Sequence, residues 1–252
     1  MRILLVNDDG IHANGIKTIE NIARQLSDDV WIIAPEKNHS GAGHSLTLSE
    51  PIRIRKISEK KFAVDGTPTD CVFVACNHIM HEAHPDLVLS GVNYGPNLAE
   101  DVTYSGTVAA AMEACLFKIP SIAFSLAVIP FEENAYWKTA EDHCVQVVKT
   151  LLSANRPESV FYNVNIPNIT TGSIKGVKIT YQGQRRVDSV LEERVDPRGQ
   201  SYFWVGGIHH EPHHQEGTDL NAIEHGYISV TPLSIDLTDT PTVLHLQKVF
   251  EG

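Results

Sequence analysis

The run Ile3-Leu4-Leu5-Val6 carries no polar residue on either side of the pleat. A strand built from it must be covered on both faces, as a strand inside a parallel sheet flanked by helices is. The next segment, Gly15–Leu26, places Ile16, Ile19, Ile22, Ala23 and Leu26 on one helical face. Val30-Trp31-Ile32-Ile33-Ala34 is a second apolar run, closed by Pro35. Strand, crossover helix and strand make a βαβ unit, so the two strands are expected to be parallel. Leu87–Ser90, Ser121–Phe124 and Phe161–Asn165 read as further strands of this kind. Helices are expected over Thr69–His81, Gly106–Leu116 and Asn134–Leu152, and a more polar edge hairpin over Ile52–Ile57 and Lys61–Val64. After about Thr171 the alternation stops, and Val177–Tyr181, Tyr202–Val205 and Tyr227–Val230 read as strands. The expected organisation is an α/β core over residues 1–170 and a β-rich extension over 171–252.

Asn7-Asp8-Asp9-Gly10 stands at the exit of the first strand. Open α/β sheets bind ligands at that carboxyl edge. Adjacent carboxylates crowd negative charge, which a divalent cation or a shared proton relieves. The same four residues are also good turn chemistry, with Gly10 free to take positive φ. Two further loops follow parallel strands: Lys37–His44 and Gly91–Ser105. Together the three carry Asp8, Asp9, Asn38, Ser40, Asn93, Asn97 and Asp101. Such an oxygen-rich set suits a hard cation such as Mg²⁺, Mn²⁺ or Ca²⁺. The third loop ends in Ser105-Gly106-Thr107, where Ser105 reads as the cap of an alanine-rich helix. A helix start of Ser, Gly and Thr offers backbone N–H groups and hydroxyls to an anion, phosphate foremost. A cation site and an anion cradle on one edge describe a phosphate-handling site.

Thirty-one acidic against twenty basic residues leave a net charge of −11. That balance disfavours general binding to a nucleic-acid duplex or an anionic membrane. No apolar stretch approaches the roughly 20 residues that span a bilayer. Cys71, Cys76, Cys115 and Cys144 form no C-x-x-C pair and are expected to be reduced and buried. With no signal-peptide pattern behind Met1-Arg2, the expectation is a soluble cytoplasmic protein. Other phosphatase signatures are missing. No cysteine has an arginine six residues on, no Arg-His-Gly occurs, and the aspartates are adjacent rather than spaced as Asp-x-Asp. Neither a Gly-x4-Gly-Lys-Ser/Thr loop nor a Gly-x-Ser-x-Gly elbow is present. Metal-assisted attack of water on phosphorus remains.

The ordered series Met1–Gly10, Ala34–His44, Gly66–Cys71, Ser90–Asn97, Tyr104–Val108 and Ile119–Ala123 resembles the SurE survival proteins, a family of metal-dependent 5′/3′-nucleotidases. Glu192–Gly199, Gly217–Asp219 and Gly226–Pro232 extend the resemblance over nearly the whole chain. It implies a Rossmann-like core with a β extension exchanged between subunits, and a homodimer or homotetramer. It also implies metal ligands at Asp8, Asp9, Ser40 and Asn93, holding one divalent ion per subunit, Mg²⁺ or Mn²⁺. Phosphate contacts would fall on Asn97, Ser105, Gly106 and Thr107. The choice of Ser40 over Asn38 and of Asn93 over Asn97 comes from the resemblance alone. The expected activity is hydrolysis of nucleoside 5′- and 3′-monophosphates, with Asp8 or Asp9 orienting the water and Asp8 the favoured base. His39 or His44 would protonate the leaving alcohol, and Tyr94 or Tyr104 would meet the base. The alternatives are a polyphosphatase or broad-specificity acid phosphatase, and a non-catalytic nucleotide sensor. Arg185, Arg186 and Arg194 read either as interface salt bridges or as groups reaching a neighbour's site. The histidine-rich loop His209–His214 departs from the acidic stretch the family would place there, and reads as a variable solvated loop rather than a second metal site.

Overall fold

The computed structural model describes residues 1–129, 132, 134–185, 191–205 and 215–251. Strand β1 (Arg2–Val6) leads into helix α1 (Asn14–Arg24), and β2 (Asp29–Pro35) returns parallel to β1. The hairpin β3 (Ile54–Ser58) and β4 (Lys61–Val64) forms one edge, with β4 parallel to β2. Helix α2 (Pro68–Val74) starts on a capping box, in which the Thr67 hydroxyl and the Asp70 carboxylate each accept from the other's backbone N–H. It continues into a single π-helical segment, Ala75–Ile79, so the helix expected over 69–81 ends two residues early. Then come β5 (Leu87–Tyr94), α3 (Gly106–Leu116), β6 (Ser121–Ala127), α4 (Trp137–Ser153) and β7 (Val160–Pro167).

Beyond residue 170 lie β8 (Val177–Ile179), β9 (Leu191–Val195), β10 (Ser201–Val205), α5 (Asp219–Glu224), β11 (Ile228–Ser234) and α6 (Thr240–Glu251). The main sheet runs β3-β4-β2-β1-β5-β6-β7-β11-β8, and β10-β9 is a separate hairpin. From β4 to β7 every neighbouring pair is parallel, while β11 is antiparallel to β7. Two strands from beyond residue 170 therefore belong to the same sheet as β1.

Burial on both faces follows from the apolar runs. Ile3 and Leu5 pack with Ile16, Ile19 and Ile22 of α1 and Ala140, Cys144 and Val148 of α4. Leu4 and Val6 point the other way, to Cys71 and Val72 of α2 and Ala110 and Ala114 of α3. The alanines of α3 leave it buried nearly all round, so the helix sits close against the sheet with its start beside the end of β1.

Candidate active site

β2, β1 and β5 are adjacent and parallel, so their exits share one edge. The turn after β1 closes as expected: Gly10 takes φ 103° and its carbonyl accepts from Asn7 Nδ2 at 2.9 Å. Asp8 is buried, and Thr107 binds it twice. The Thr107 hydroxyl donates to Asp8 Oδ1 at 2.6 Å, and the Thr107 N–H lies 3.3 Å from Oδ2. Asp8 thus faces the first turn of α3, where the helix dipole favours negative charge. Gly106 makes room for it: a β-carbon there would stand 2.9 Å from Asp8 Cβ and 2.9 Å from Pro68 Cγ. Ser105 caps α3, its Oγ accepting from Val108 N–H at 3.1 Å.

Asp9 is half-buried and accepts from the Tyr94 N–H at 3.2 Å. Burial and then the neighbouring Asp8 carboxylate raise its pKa to about 6. Burial also raises Asp8 above the ordinary carboxylate range, against the lowering effect of Thr107. Both carboxyls are thus held above the ordinary range, a shift that a divalent cation would reverse.

The structure brings Asp8, Asp9, Ser105, Gly106 and Thr107 together directly. Ser40 and Asn93 arrive through their chain neighbours. His39 N–H donates to the Asp8 carbonyl at 2.8 Å, which sets the Ser40 loop beside the carboxylates. Asn93 adjoins Tyr94, and it stands in a strand rather than a loop. β5 runs past Ser90, its register shifting before Asn93 pairs with Ser125 of β6. Asn97 is clamped from β6 and β7. Its Nδ2 donates to Ser125 Oγ at 2.7 Å, its N–H to Asn165 Oδ1 at 2.8 Å, and its carbonyl accepts from Asn163 Nδ2 at 2.8 Å.

Among the described residues, no three His, Cys, Asp or Glu side chains cluster as a metal site. The donor set at this edge is instead two carboxylates with a neighbouring hydroxyl and amide, a chemistry that fits a hard cation.

The two candidate histidines separate. His44 Nε2 bonds Glu113 Oε2 at 2.8 Å, on the third turn of α3, whereas His39 adjoins Asp8. Tyr94 and Tyr104 are both exposed, and the Tyr94 ring lies 6.0 Å from that of Trp137. Arg185 pairs with Asp101 Oδ2 of its own chain at 2.7 Å, and Arg194 with Glu192 of its own hairpin. Arg186 and the His209–His214 loop lie outside the described residues.

Two contributors escaped the sequence reading. Glu113, a lone carboxylate on the otherwise apolar α3, holds His44. Asp219, lying 120 residues from Ala99, accepts its N–H at 2.9 Å. Gly217-Thr218-Asp219 carries the signature of a helix cap, but nothing local signals what the carboxylate reaches.

The family model described as Survival protein SurE matches residues 3–189. A protein named 5′-nucleotidase SurE from Caulobacter vibrioides is 51% identical over 255 residues, covering 100% of this chain and 97% of that one. Its namesake from Paramagnetospirillum magneticum is 48% identical over 250 residues, covering 99% and 96%. The crystal structure of the SurE protein from Aquifex aeolicus superposes with a TM-score of 0.86 at 44% identity, covering all of both chains.

Proposed function

The chain belongs to the SurE survival protein family, and from that premise we propose that it is a 5′-nucleotidase that releases phosphate from nucleoside monophosphates with a divalent ion. The observation that carries this reading is the seating of Asp8 against the start of α3, with Thr107 Oγ1 2.6 Å from Asp8 Oδ1. One carboxylate pair and one helix start stand side by side, so a cation and a phosphate can share the edge.

Asp8 and Asp9, with Ser40 and Asn93, would hold Mg²⁺ or Mn²⁺. Such an ion would offset the charge that builds on the phosphoryl oxygens. The Ser105–Thr107 start of α3 and the Asn97 side chain bind the phosphate and keep it oriented. The Ser105 hydroxyl is a donor there, since the Ser105 N–H bonds the Asp101 carbonyl and the Thr107 N–H faces Asp8. Asp8 has both oxygens engaged by Thr107. Asp9 accepts only from Tyr94 among the described residues, so it is the better placed of the two to take the proton of the attacking water. His39, next to Asp8, protonates the leaving alcohol, while His44 is committed to Glu113. The four free, buried cysteines fit a reducing, cytoplasmic setting.

The test is inorganic phosphate release from 5′- and 3′-nucleoside monophosphates and short polyphosphate, in EDTA, Mg²⁺ and Mn²⁺. The expected result is metal-dependent release, strongest on 5′-nucleotides. Release that persists in EDTA would remove the metal from the scheme. No release under any condition would leave nucleotide sensing. Faster release from polyphosphate would reassign the substrate.

A further inference from the structure

Ala99 lies in the turn that joins Asn97 to the Ser105 cap. Its backbone is in the left-handed region, at φ 52°. There the β-carbon of an L residue crowds its own carbonyl, and such a residue persists only where its surroundings hold it. What holds Ala99 comes from the far end of the chain. The buried Asp219 carboxylate accepts from the Ala99 N–H at 2.9 Å, and Gln182 Nε2 donates to the Ala99 carbonyl at 2.9 Å. Asp219 also accepts from Gly183 N–H at 2.8 Å and from Leu220 N–H at 2.8 Å. One carboxylate thus ties three backbone segments together.

Arg185 completes the grip. Its Nη1 pairs with Asp101 Oδ2 at 2.7 Å, and its N–H lies 3.1 and 3.0 Å from the two Glu100 oxygens. The Arg185 side chain is 5% exposed, so this pair is shielded from solvent. Leu98 and Ala99 pack on Leu220 in a small apolar cluster of their own. β7 fixes Asn97, but the turn between Leu98 and Asp101 is fixed from residues 182–185 and 219–220.

We infer that Asp219, Gln182 and Arg185 are positioning residues that hold the turn between Asn97 and Thr107 at the height where its donors meet phosphate. The inference rests on the reading of Asn97 and Ser105–Thr107 as phosphate contacts. It gives the segment beyond residue 170 a part in the site of its own chain.

The variants are Asp219→Asn, Arg185→Ala, Arg185→Lys and Gln182→Ala, in the full-length protein. Asparagine keeps the shape of Asp219 but loses one of its acceptor oxygens. Gln182 is exposed, so its truncation leaves the core intact and serves should Asp219→Asn not fold. Three quantities are measured: KM and kcat for a nucleoside 5′-monophosphate, inhibition by inorganic phosphate, and Mn²⁺ affinity by direct titration. Hydrogen exchange over residues 97–107 supplies a readout that needs no activity.

A misplaced phosphate turn raises KM and the phosphate inhibition constant by roughly 10- to 100-fold in Arg185→Ala. Mn²⁺ affinity stays near that of the parent, and exchange quickens over 97–107 but not over β1. Arg185→Lys, which keeps the charge facing Asp101, recovers part of the loss. Folded variants with parental KM, phosphate inhibition and exchange would overturn the inference, as would equal loss of Mn²⁺ and phosphate binding. A parent that releases no phosphate, with variants whose turn still loosens and whose phosphate affinity falls, would sink the proposed activity and leave the clamp standing.

Discussion

Asp9 is held half-buried beside another buried carboxylate, and the fold bears that cost whenever both are ionised. Its folded pKa is raised from 3.8 to about 6. The sign follows from the raised value. The folded state holds the proton more tightly than the unfolded chain, so its advantage is full below about pH 4 and is lost as pH rises through 6. Without a divalent ion, Asp9→Asn should therefore melt a few degrees higher than the parent at pH 8 and at the same temperature at pH 4. Adding Mn²⁺ at pH 8 should stabilise the parent and leave the variant unmoved. Calorimetric scans at the two pH values decide it, and a variant less stable than the parent at pH 8 would contradict this account. At this scale the adjacent aspartates were legible because they are neighbours in sequence. Asp219 was not, because its partners are distant in sequence.

The opposite sign appears where elements are tied at the surface. Asp29, at the start of β2, accepts from Lys60 between β3 and β4, from Arg2 of β1 and from the Trp31 indole. Lys60 first, and then Arg2 and Trp31 against some desolvation, hold its carboxyl well below the usual range. A lowered folded pKa adds stability above the unfolded value, and that stability is lost as pH falls through about 4 and below. Its side chain is 34% exposed, so solvent screening limits the effect. Asp29→Asn should cost about 1 kcal/mol or less at pH 7 and distinctly less near pH 2, read by urea titration at both.

The elements themselves were mostly legible. β1 and β2 are apolar runs, β7 interleaves apolar residues with Asn163 and Asn165, and α1 and α4 repeat their apolar positions at helical spacing. β5 was cut short at Ser90, because Gly91 and Asn93 look like loop residues. Pairing of Asn93 with Ser125 extends the strand regardless. α5 and α6 went unseen. α5 spans only Asp219–Glu224, too short for periodicity to show. α6 is a helix at the end of the segment expected to be β-rich.

For the whole molecule, the apolar side chains left uncovered are concentrated beyond residue 170. Phe203, Trp204 and Val205 of β10 and Leu244, Leu246, Val249 and Phe250 of α6 are exposed, and α6 buries none of its residues. Apolar surface of that extent marks a contact with another chain. We propose a homodimer or homotetramer that covers it, with the segment over 171–252 supplying the contacts. Light scattering at micromolar concentration should give at least twice the chain mass, and Phe250→Asp should shift it towards the monomer. A monomeric parent would end that proposal. The sequence by itself determined the parallel core and the edge on which Asp8, Asp9 and Ser105–Thr107 gather. Those follow from local patterning and from the rule that adjacent parallel strands end together. Only the tertiary structure decided that β8 and β11 join the core sheet and that Asp219 and Arg185 reach the turn after Asn97. Those contacts depend on where the chain returns, and no local pattern of residues encodes the distance between segments it has yet to bring together.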